Sequence, residues 1–355
     1  MNLEPPENVR KLQEALHAKA KGSPQYRFYA VYDKMYRPDV LAFAYRRCRA
    51  NRGVAGVDGQ TFDQIESYGV ERWLGELTQE LRTKTYRPQA VRRVWIPKAD
   101  GGQRPLGIPT IRDRVVQTAA MLVLEPIFEA DLQPEQYAYR HGRGALDAVK
   151  VVRDLLGSGH TEVVDADLKG YFDSIPHGDL MKSVARRISD GRMLRLIKMW
   201  LDAPVQEIAH REDVMLKDSD EDGPRGTPQG APLSPLLSNL YMRRFILSWK
   251  QFGIEAALDA RIVNYADDYV ICCRGTARQA LAAMHAIMRR LKLTVNEIKT
   301  HLRRLPGEHF DFLGYTFGRC YAFGSGRPYY GMFPAKKRVQ RFCRSLDKAA
   351  PRNRT

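Results

Sequence analysis

Two adjacent carboxylates lie between strand-forming runs at residues 262–273, where the sequence is IVNYADDYVICC. A β-hairpin turn is the simplest explanation for Asp267 and Asp268, because aspartate tolerates turn backbone. Apolar residues flank the pair on both sides, however, and two neighbouring anions in a low dielectric repel each other. A Mg²⁺ ion would relieve the repulsion, since it takes oxygen ligands and is commonly held by one or two carboxylates together with phosphates. The pair therefore predicts a metal site that draws a third carboxylate from elsewhere in the chain.

The third carboxylate is sought in the sequence VVDADLKGYFDSI at residues 163–175. Asp165 and Asp167 fall on one face of a predicted strand, because strand side chains alternate with period two, and Asp173 follows after a turn. Spacing alone leaves all three open, and a strand end with salt-bridged acids is the alternative. A strand-end aspartate that converges with the hairpin pair could hold two metal ions, as phosphoryl transfer at a polymerase site requires.

The composition favours a polyanionic partner. The chain has 355 residues, with 57 Lys and Arg against 41 Asp and Glu, and a net charge of +16. Nucleic acid is favoured over a membrane, because no apolar run approaches about 18 residues. The N-terminus has no apolar signal core, which predicts a cytoplasmic protein. The cysteines show no CxxC spacing and are interpreted as reduced core or surface thiols rather than zinc ligands: Cys48, Cys272, Cys273, Cys320 and Cys343.

The elements that must position these residues follow from periodicity and turn signals. Residues 7–50 are predicted to be helical, and 91–110 to form a strand, a turn at ADGG and a second strand. Further helices are predicted at 111–126, ending at Pro126, and at 144–157, 191–203, 230–251 and 277–293; short strands are predicted near 310–317 and 328–334. An acidic loop or hairpin is predicted at 211–226. The pattern indicates an α+β fold, with an antiparallel sheet backed by helices.

Seven blocks of the sequence resemble a group II intron-type bacterial reverse transcriptase, a group related to retron and maturase proteins. In chain order they are RGVAGVDGQTF, WIPKADGGQRPLGIPTIRDRVVQ, VVDADLKGYFDSIPH, RGTPQGAPLSPLLSNLYM, VNYADDYVICC, LTVNEIKTH and FDFLGYTF. They span roughly residues 45 to 335 in the order that the family has. A YADD sequence alone would be weak evidence, whereas seven ordered blocks are specific.

The resemblance implies the fingers and palm of a right-hand polymerase. It predicts an N-terminal helical extension at 1–65, fingers at 66–160, an antiparallel palm at 161–335 and a basic start of a thumb or linker at 336–355. Longer members of the family continue into a helical thumb, a DNA-binding region and often an endonuclease. We therefore expect a thumb that is absent or only begun, which puts processive synthesis, splicing and mobility in doubt.

The resemblance also implies roles for individual residues. Asp167, Asp267 and Asp268 match the catalytic aspartates, which would hold two Mg²⁺ ions, with Mn²⁺ as a substitute. Phe172 matches the ring under the incoming sugar, which would favour deoxynucleotides over ribonucleotides; its alternative is a core phenylalanine. The residues that match dNTP contacts are Lys98, Arg104 and Gln229, where Lys98 and Arg104 would grip the triphosphate and Gln229 would lie beside the nascent base pair.

Nucleic-acid contacts are expected in two places. Asn296 and Lys299 match polar positions of the block after YADD, with a helix-end cap and a surface lysine as alternatives. Lys336, Lys337 and Arg338 begin a segment in which residues 319–355 carry ten Lys or Arg and one acid, Asp347. This segment is predicted to lie along a template–primer duplex, and a solvated tail is the alternative.

Three functions remain open. The first is an RNA-directed DNA polymerase that uses an RNA template, a DNA or RNA primer and dNTPs, with group II intron RNA as a further partner; a branch domesticated for phage defence or repair belongs here. The second is a non-catalytic RNA-binding splicing cofactor, which intact Asp167, Asp267 and Asp268 do not favour. The third is an RNA-dependent RNA polymerase or nucleotide cyclase, against which Phe172 and the fingers block argue.

Overall fold

The computed structural model describes residues 3–97, 102–207, 214–215 and 223–349, with backbone only at 214–215 and 347–349. The chain forms two compact units, each assembled from two separate segments. The first unit comprises Met1–Leu132 and Gly170–Tyr241, and the second comprises Gln133–Lys169 and Met242–Thr355. The division into four segments predicted from the sequence stays a prediction.

Five helices precede the first strand, and helices and strands are mixed along the rest of the described residues. The helices are α1 (Glu7–Gly22), α2 (Tyr32–Met35), α3 (Pro38–Ala50), α4 (Phe62–Tyr68), α5 (Val70–Thr83), α6 (Ile111–Glu129), α7 (Ala145–Gly157), α8 (Tyr171–Ser174), α9 (His177–Ala185), α10 (Gly191–Leu201), α11 (Ser234–Gln251), α12 (Ile254–Ala257), α13 (Ala277–Arg290) and α14 (Lys336–Ala349). The strands are β1 (Val91–Pro97), β2 (Gln103–Ile108), β3 (Glu162–Ala166), β4 (Val205–Glu207), β5 (Val214–Met215), β6 (Ala260–Tyr265), β7 (Asp268–Cys273), β8 (His301–Arg304), β9 (Phe310–Phe312), β10 (Tyr315–Tyr321) and β11 (Pro328–Pro334). The predicted α+β class is confirmed. None of the helices in this part of the chain has the length and apolar character needed to cross a membrane.

The helix predicted to end at Pro126 continues to Glu129. Proline removes the hydrogen bond to the carbonyl four residues earlier, which here belongs to Leu122. The side chain of Gln13 donates to that carbonyl at 3.0 Å, so the orphaned acceptor has a partner from α1. A ring nitrogen of His17 lies 3.0 Å from the carbonyl of Pro126 itself. Tertiary contacts with α1 thus allow a helix that local propensity would end.

The first unit holds a four-stranded sheet in the order β2–β1–β4–β5. The predicted strand, turn and strand at 91–110 is confirmed as the antiparallel β1–β2 pair, in which Ile96 lies opposite Arg104. The turn residues 98–101 lie outside the described residues. β4 runs parallel to β1 and pairs with β5. Most of the predicted acidic loop at 211–226 also lies outside the described residues.

The second unit contains the sheet that carries the YADD sequence. Its order is β6–β7–β3–β8, and every neighbouring pair is antiparallel, as predicted. One face packs against α7 and against a second sheet, β11–β10–β9, through a buried cluster that includes Val163, Val270 and Phe317. On the other face the hydroxyl of fully buried Tyr269 donates to the sulfur of Met284 in α13 at 3.2 Å.

The cysteines lie where the sequence interpretation placed them, in the core or near the surface. Cys48, Cys272 and Cys273 are buried, Cys320 is half-buried and Cys343 is exposed, and all five have free thiols. Burial raises the pKa of the Cys273 thiol to about 12, so this side chain is a neutral core group at physiological pH.

Candidate active site

The YADD sequence forms a two-residue hairpin turn. Tyr265, the last residue of β6, pairs with Asp268, the first residue of β7, so Ala266 and Asp267 make the connection. Ala266 has φ = 58°, which two-residue hairpin loops require and which L-residues adopt at a cost. The buried side chain of Asn264 donates to the carbonyl of Ala266 at 2.8 Å and holds this conformation. The predicted hairpin is confirmed, with Asp268 in the strand rather than in the turn.

The register of the central strands brings Asp167 to the same end of the sheet. Ala166, the last residue of β3, pairs with Tyr269 of β7. Asp167 follows Ala166 and Asp268 precedes Tyr269, so these two carboxylates occupy adjacent strand ends, next to the turn that carries Asp267. The side chain of Asp167 is 25% exposed, Asp267 is half-buried and Asp268 is exposed. All three carboxylates are therefore near solvent.

Asn296 and Lys299 contact the carboxylate of Asp167. The amide of Asn296 donates to Oδ2 of Asp167 at 3.1 Å, and the ammonium of Lys299 lies 3.6 Å from the same oxygen. The backbone N–H of Asn296 donates to the carbonyl of Asp167 at 2.9 Å. These contacts link residues about 130 positions apart, so sequence spacing could not predict them. The nucleic-acid role predicted for the two residues stays a prediction.

Asp165 is a fourth carboxyl group near this strand end. Burial raises its pKa to about 7, and the negative charges of Asp268, Asp311 and Asp167 add to the rise, while Arg303 opposes it. Asp165 is thus close to half-protonated at neutral pH. The high density of negative charge at this end of the sheet would be relieved by a bound cation.

Phe172 and Gln229 lie in the first unit, where two loops meet. Phe172 is half-buried in α8, and its ring packs edge-on against Tyr171 at 5.7 Å between ring centroids. Thr227 binds the Phe172 carbonyl through its backbone N–H at 2.7 Å. The amide of Gln229 is 3.4 Å from Oδ2 of Asp173. Spacing alone left Asp173 open as the third carboxylate, and in the structure it contacts Gln229.

The loop that carries Gln229 also contacts β2. The backbone N–H of Gly107 donates to the carbonyl of Gln229 at 2.6 Å. Gly230 has φ = 109°, and a Cβ there would lie 2.7 Å from the carbonyl oxygen of Gly107, so only glycine allows this close approach. Arg104 is exposed three residues earlier in β2. The structure thus brings Phe172, Gln229 and β2 together, while Lys98 lies outside the described residues.

Comparison with known proteins decides the family. The profile of the "Reverse transcriptase (RNA-dependent DNA polymerase)" family matches residues 96–317, which is more than half of the chain. This chain belongs to the reverse transcriptase family. The match includes Asp167, Asp267 and Asp268 and confirms the enzyme class predicted from the sequence, an RNA-directed DNA polymerase.

Relatives of this reverse transcriptase include group II intron-encoded proteins, as the resemblance predicted. The chain is 32% identical to protein YkfC of Escherichia coli strain K12 over 349 residues, which cover 88% of both chains. It is 34% identical to the group II intron-encoded protein LtrA of Lactococcus lactis subsp. cremoris over 227 residues, which cover 63% of this chain and 36% of LtrA. A solved partial Cas6-RT-Cas1–Cas2 complex is similar at 22% identity over 73% of this chain and 41% of the solved chain, with a TM-score of 0.42.

Reverse transcriptases use Mg²⁺, and the donor set at the strand end suits this ion. Asp167, Asp267 and Asp268 supply only carboxylate oxygens, which Mg²⁺ prefers. In the described part of the chain, no three His, Cys, Asp or Glu side chains are arranged so that they could hold a metal ion. The three carboxylates alone therefore do not form a complete site, and water and substrate phosphates would complete the coordination of Mg²⁺, as is common in enzymes.

The basic residues at the start of α14 are on the surface of the second unit. Lys336, Lys337 and Arg338 are all exposed. The guanidinium of Arg338 lies over the ring of Tyr315, 4.7 Å from its centroid, so this arginine also packs against β10. Substitution of Lys336 and Lys337 therefore tests the predicted contact with nucleic acid without removing the packing contact that Arg338 makes with β10.

Proposed function

We propose that this reverse transcriptase extends a DNA or RNA primer on an RNA template by two-metal nucleotidyl transfer, with Asp167, Asp267 and Asp268 as the metal ligands. The observation that carries the proposal is the strand register, which places Asp167 beside Asp268 and next to the turn that holds Asp267. Bound Mg²⁺ would lower the pKa of the primer 3′-hydroxyl and stabilise the charge that leaves with pyrophosphate.

Neighbouring groups of the protein would hold the three metal-binding carboxylates in position before the substrate binds. Asn296 orients Asp167 through its side-chain amide and its backbone N–H. Asn264 fixes the Ala266–Asp267 turn. Strand pairing sets the position of Asp268. Orientation by neighbouring groups is what allows metal-binding carboxylates to act without a reorganisation cost during the reaction.

Substrate selection is assigned to the first unit. The half-buried ring of Phe172 would lie under the incoming sugar and leave little room for a 2′-hydroxyl. Gln229 would contact the nascent base pair, with its backbone held by Gly107. Arg104 would bind the triphosphate through its guanidinium fork, with Lys98 as a second cation.

A primer-extension assay tests the proposal. Wild-type protein with an RNA template, a labelled DNA primer, dNTPs and Mg²⁺ should give full-length product, and Mn²⁺ should replace Mg²⁺. The Asp267→Ala variant should give none, while Asp311→Asn is a matched control that removes a different nearby carboxylate. The proposal would be contradicted if the wild-type protein failed to extend the primer on the RNA template. It would also be contradicted if the Asp267→Ala variant extended the primer at the wild-type rate.

Binding of a structured group II intron RNA is a second candidate function. LtrA is encoded by a group II intron, and residues 312–346 of this chain carry seven Lys or Arg and no acid. As a splicing partner the protein would bind intron RNA equally well with or without Asp267, because the contacts would be to phosphates and 2′-hydroxyls. A filter-binding comparison of wild type and Asp267→Ala tests this: equal affinity is expected, and a large loss would contradict it.

A further inference from the structure

A cleft of about 640 Å³ opens on the first unit, and none of the predicted active-site residues lines it. Its walls come from three parts of the chain: the segment before and into α2, the end of α5 and the start of α10. The residues that line it are Tyr29, Ala30, Tyr32, Asp33, Lys84, Asp190, Gly191, Arg192 and Arg195. The volume is within the range of roughly 300–1,000 Å³ that is typical of small-ligand sites.

Three cations converge on this cleft. Arg192 and Arg195 are three residues apart on α10, so their side chains lie on the same face of the helix. Lys84 follows α5 with φ = 63°, and the guanidinium of Arg87 donates to its carbonyl at 2.9 Å, which fixes that turn. Within the described residues, the side chains of Lys84, Arg192 and Arg195 form no hydrogen bond or ion pair, and all three are exposed.

The two acids of the cleft already have partners. Asp33 forms an ion pair with Lys34 at 2.6 Å. The buried carboxylate of Asp190 accepts backbone N–H groups from both sides of the cleft, at Val31 and Tyr32 and at Arg192 and Met193. The first N–H groups of α10 are therefore occupied, and an anion in the cleft would be bound by the three cationic side chains.

An aromatic ring stands beside these cations on a fixed backbone. Tyr29 is 71% exposed. Before it, Phe28 is bound to the segment that precedes α10, with its N–H donating to the carbonyl of Arg187 at 2.7 Å. After it, the N–H of Val31 donates to Asp190 at 2.9 Å. Backbone hydrogen bonds thus fix the segment on both sides of Tyr29, and the ring is exposed to solvent.

We propose that this cleft binds a phosphorylated nucleoside, with the phosphate between Lys84, Arg192 and Arg195 and the base stacked on Tyr29. Unpaired cations that surround a cavity favour a phosphate, and an exposed ring beside them supplies the stacking surface on which nucleic-acid bases bind. Two sources share this chemistry: one nucleotide of a single-stranded RNA, and a free nucleoside monophosphate. The inference goes beyond the proposed polymerase function, because binding of a nucleotide in the cleft would require neither Mg²⁺ nor the catalytic aspartates.

Binding is measured in EDTA with the full chain, so that no bound metal contributes, and the variants of the cleft separate its contribution from that of the polymerase site. The probe is a fluorescein-labelled ten-nucleotide oligouridylate, followed by fluorescence anisotropy and a salt titration. Tyr29→Ala should weaken binding at least about fivefold, whereas Tyr29→Phe keeps the ring and should bind like wild type. The double variant Arg192→Ala with Arg195→Ala should make the log–log salt slope less negative by about 0.7 if one phosphate is lost. Lys198→Ala, an exposed cation on the same helix outside the cleft, is the matched control.

Two further measurements locate the contact and identify its source. A 4-thiouridine probe should crosslink to peptides that contain residues 29–33 or 190–195. Adenosine monophosphate that competes with the oligonucleotide, and does so less well in the arginine double variant, would identify a free nucleotide as the ligand; no competition would identify an RNA strand. The inference is overturned if Tyr29→Ala and the arginine double variant, both melting at the wild-type temperature, bind like Lys198→Ala. A loss confined to the arginine variant would also overturn it, because a bare anion site needs no ring.

Discussion

Asn296 and Lys299 both contact one oxygen of Asp167, and the structure predicts opposite effects when each is removed. The Asn296 amide donates at 3.1 Å to a group that is 25% exposed. A hydrogen bond to a charged acceptor contributes about 1.5–3 kcal/mol, and loss of such an orienting partner typically costs about 10–100-fold in metal affinity or activity. Asn296→Ala should therefore raise the Mg²⁺ concentration that gives half-maximal extension by about 10–100-fold.

Lys299 should behave differently because its ammonium group competes with Mg²⁺ for the same oxygen. Its side chain is 62% exposed and lies 3.6 Å from Oδ2 of Asp167, and an exposed ion pair of this kind is worth about 0.2–1 kcal/mol. Lys299→Met keeps the aliphatic stem and removes the charge. We expect the half-maximal Mg²⁺ concentration to stay the same or to fall by at most about fivefold, since 1.4 kcal/mol corresponds to a factor of ten.

The assay is single-nucleotide incorporation at several Mg²⁺ concentrations, with Mn²⁺ binding by electron paramagnetic resonance as a readout that does not depend on catalysis. Template–primer affinity is measured separately in EDTA. A rise of tenfold or more in the metal requirement of Lys299→Met, with no change in Asn296→Ala, would refute the reasoning. If the two variants changed only template–primer affinity, the nucleic-acid role expected from the sequence would replace the orienting role.

Three further predictions concern the sugar, the basic surface and the core. Phe172→Val should raise ribonucleotide incorporation relative to deoxynucleotide incorporation, because steric exclusion by the ring is lost; an unchanged ratio in competition assays would assign Phe172 to core packing alone. Lys336→Ala with Lys337→Ala should make the log–log salt slope of template–primer binding less negative by up to about 1.8, with Lys150→Ala in α7 as the control; a wild-type slope would show that α14 does not touch the duplex. Tyr86→Phe should lower the free energy of unfolding by about 2–4 kcal/mol in a urea titration, because the hydroxyl donates to buried Asp113 and accepts from Trp200 at 3.2 Å; a loss below about 0.5 kcal/mol would show that the network adds little.

The sequence predicts the elements well where local patterns decide the outcome. The β1–β2 pair, the YADD hairpin and the long amphipathic helices follow from alternation, helical spacing and turn residues, which are properties of neighbours in the chain. Pro126 shows the limit: its helix continues to Glu129 because Gln13, 109 positions away from Leu122, supplies the missing donor. Such a contact leaves no trace in the local pattern.

The same distinction applies to the site. Asp167, Asp267 and Asp268 could be selected from residue type and strand spacing together with the family resemblance. The contacts of Asn296 and Lys299 with Asp167 could not, because they depend on how a turn after α13 meets the end of β3. The raised pKa of Asp165 could not be predicted either, since it arises from burial and from the charges of Asp268, Asp311 and Asp167. The cleft beside Tyr29 is formed by three segments that are distant in the sequence, so local sequence patterns could not predict it.

The most direct test of the catalytic assignment is the single-turnover rate of dNTP incorporation on an RNA template in four single variants at saturating template–primer. Asp167→Asn, Asp267→Asn and Asp268→Asn should each lose at least about 10³-fold, by analogy with other electrostatic catalytic groups, without loss of template–primer affinity in EDTA. Asp165→Asn should lose far less, because this carboxyl is not a member of the proposed ligand set. A near-normal rate in any of the first three variants would contradict the proposed ligand set.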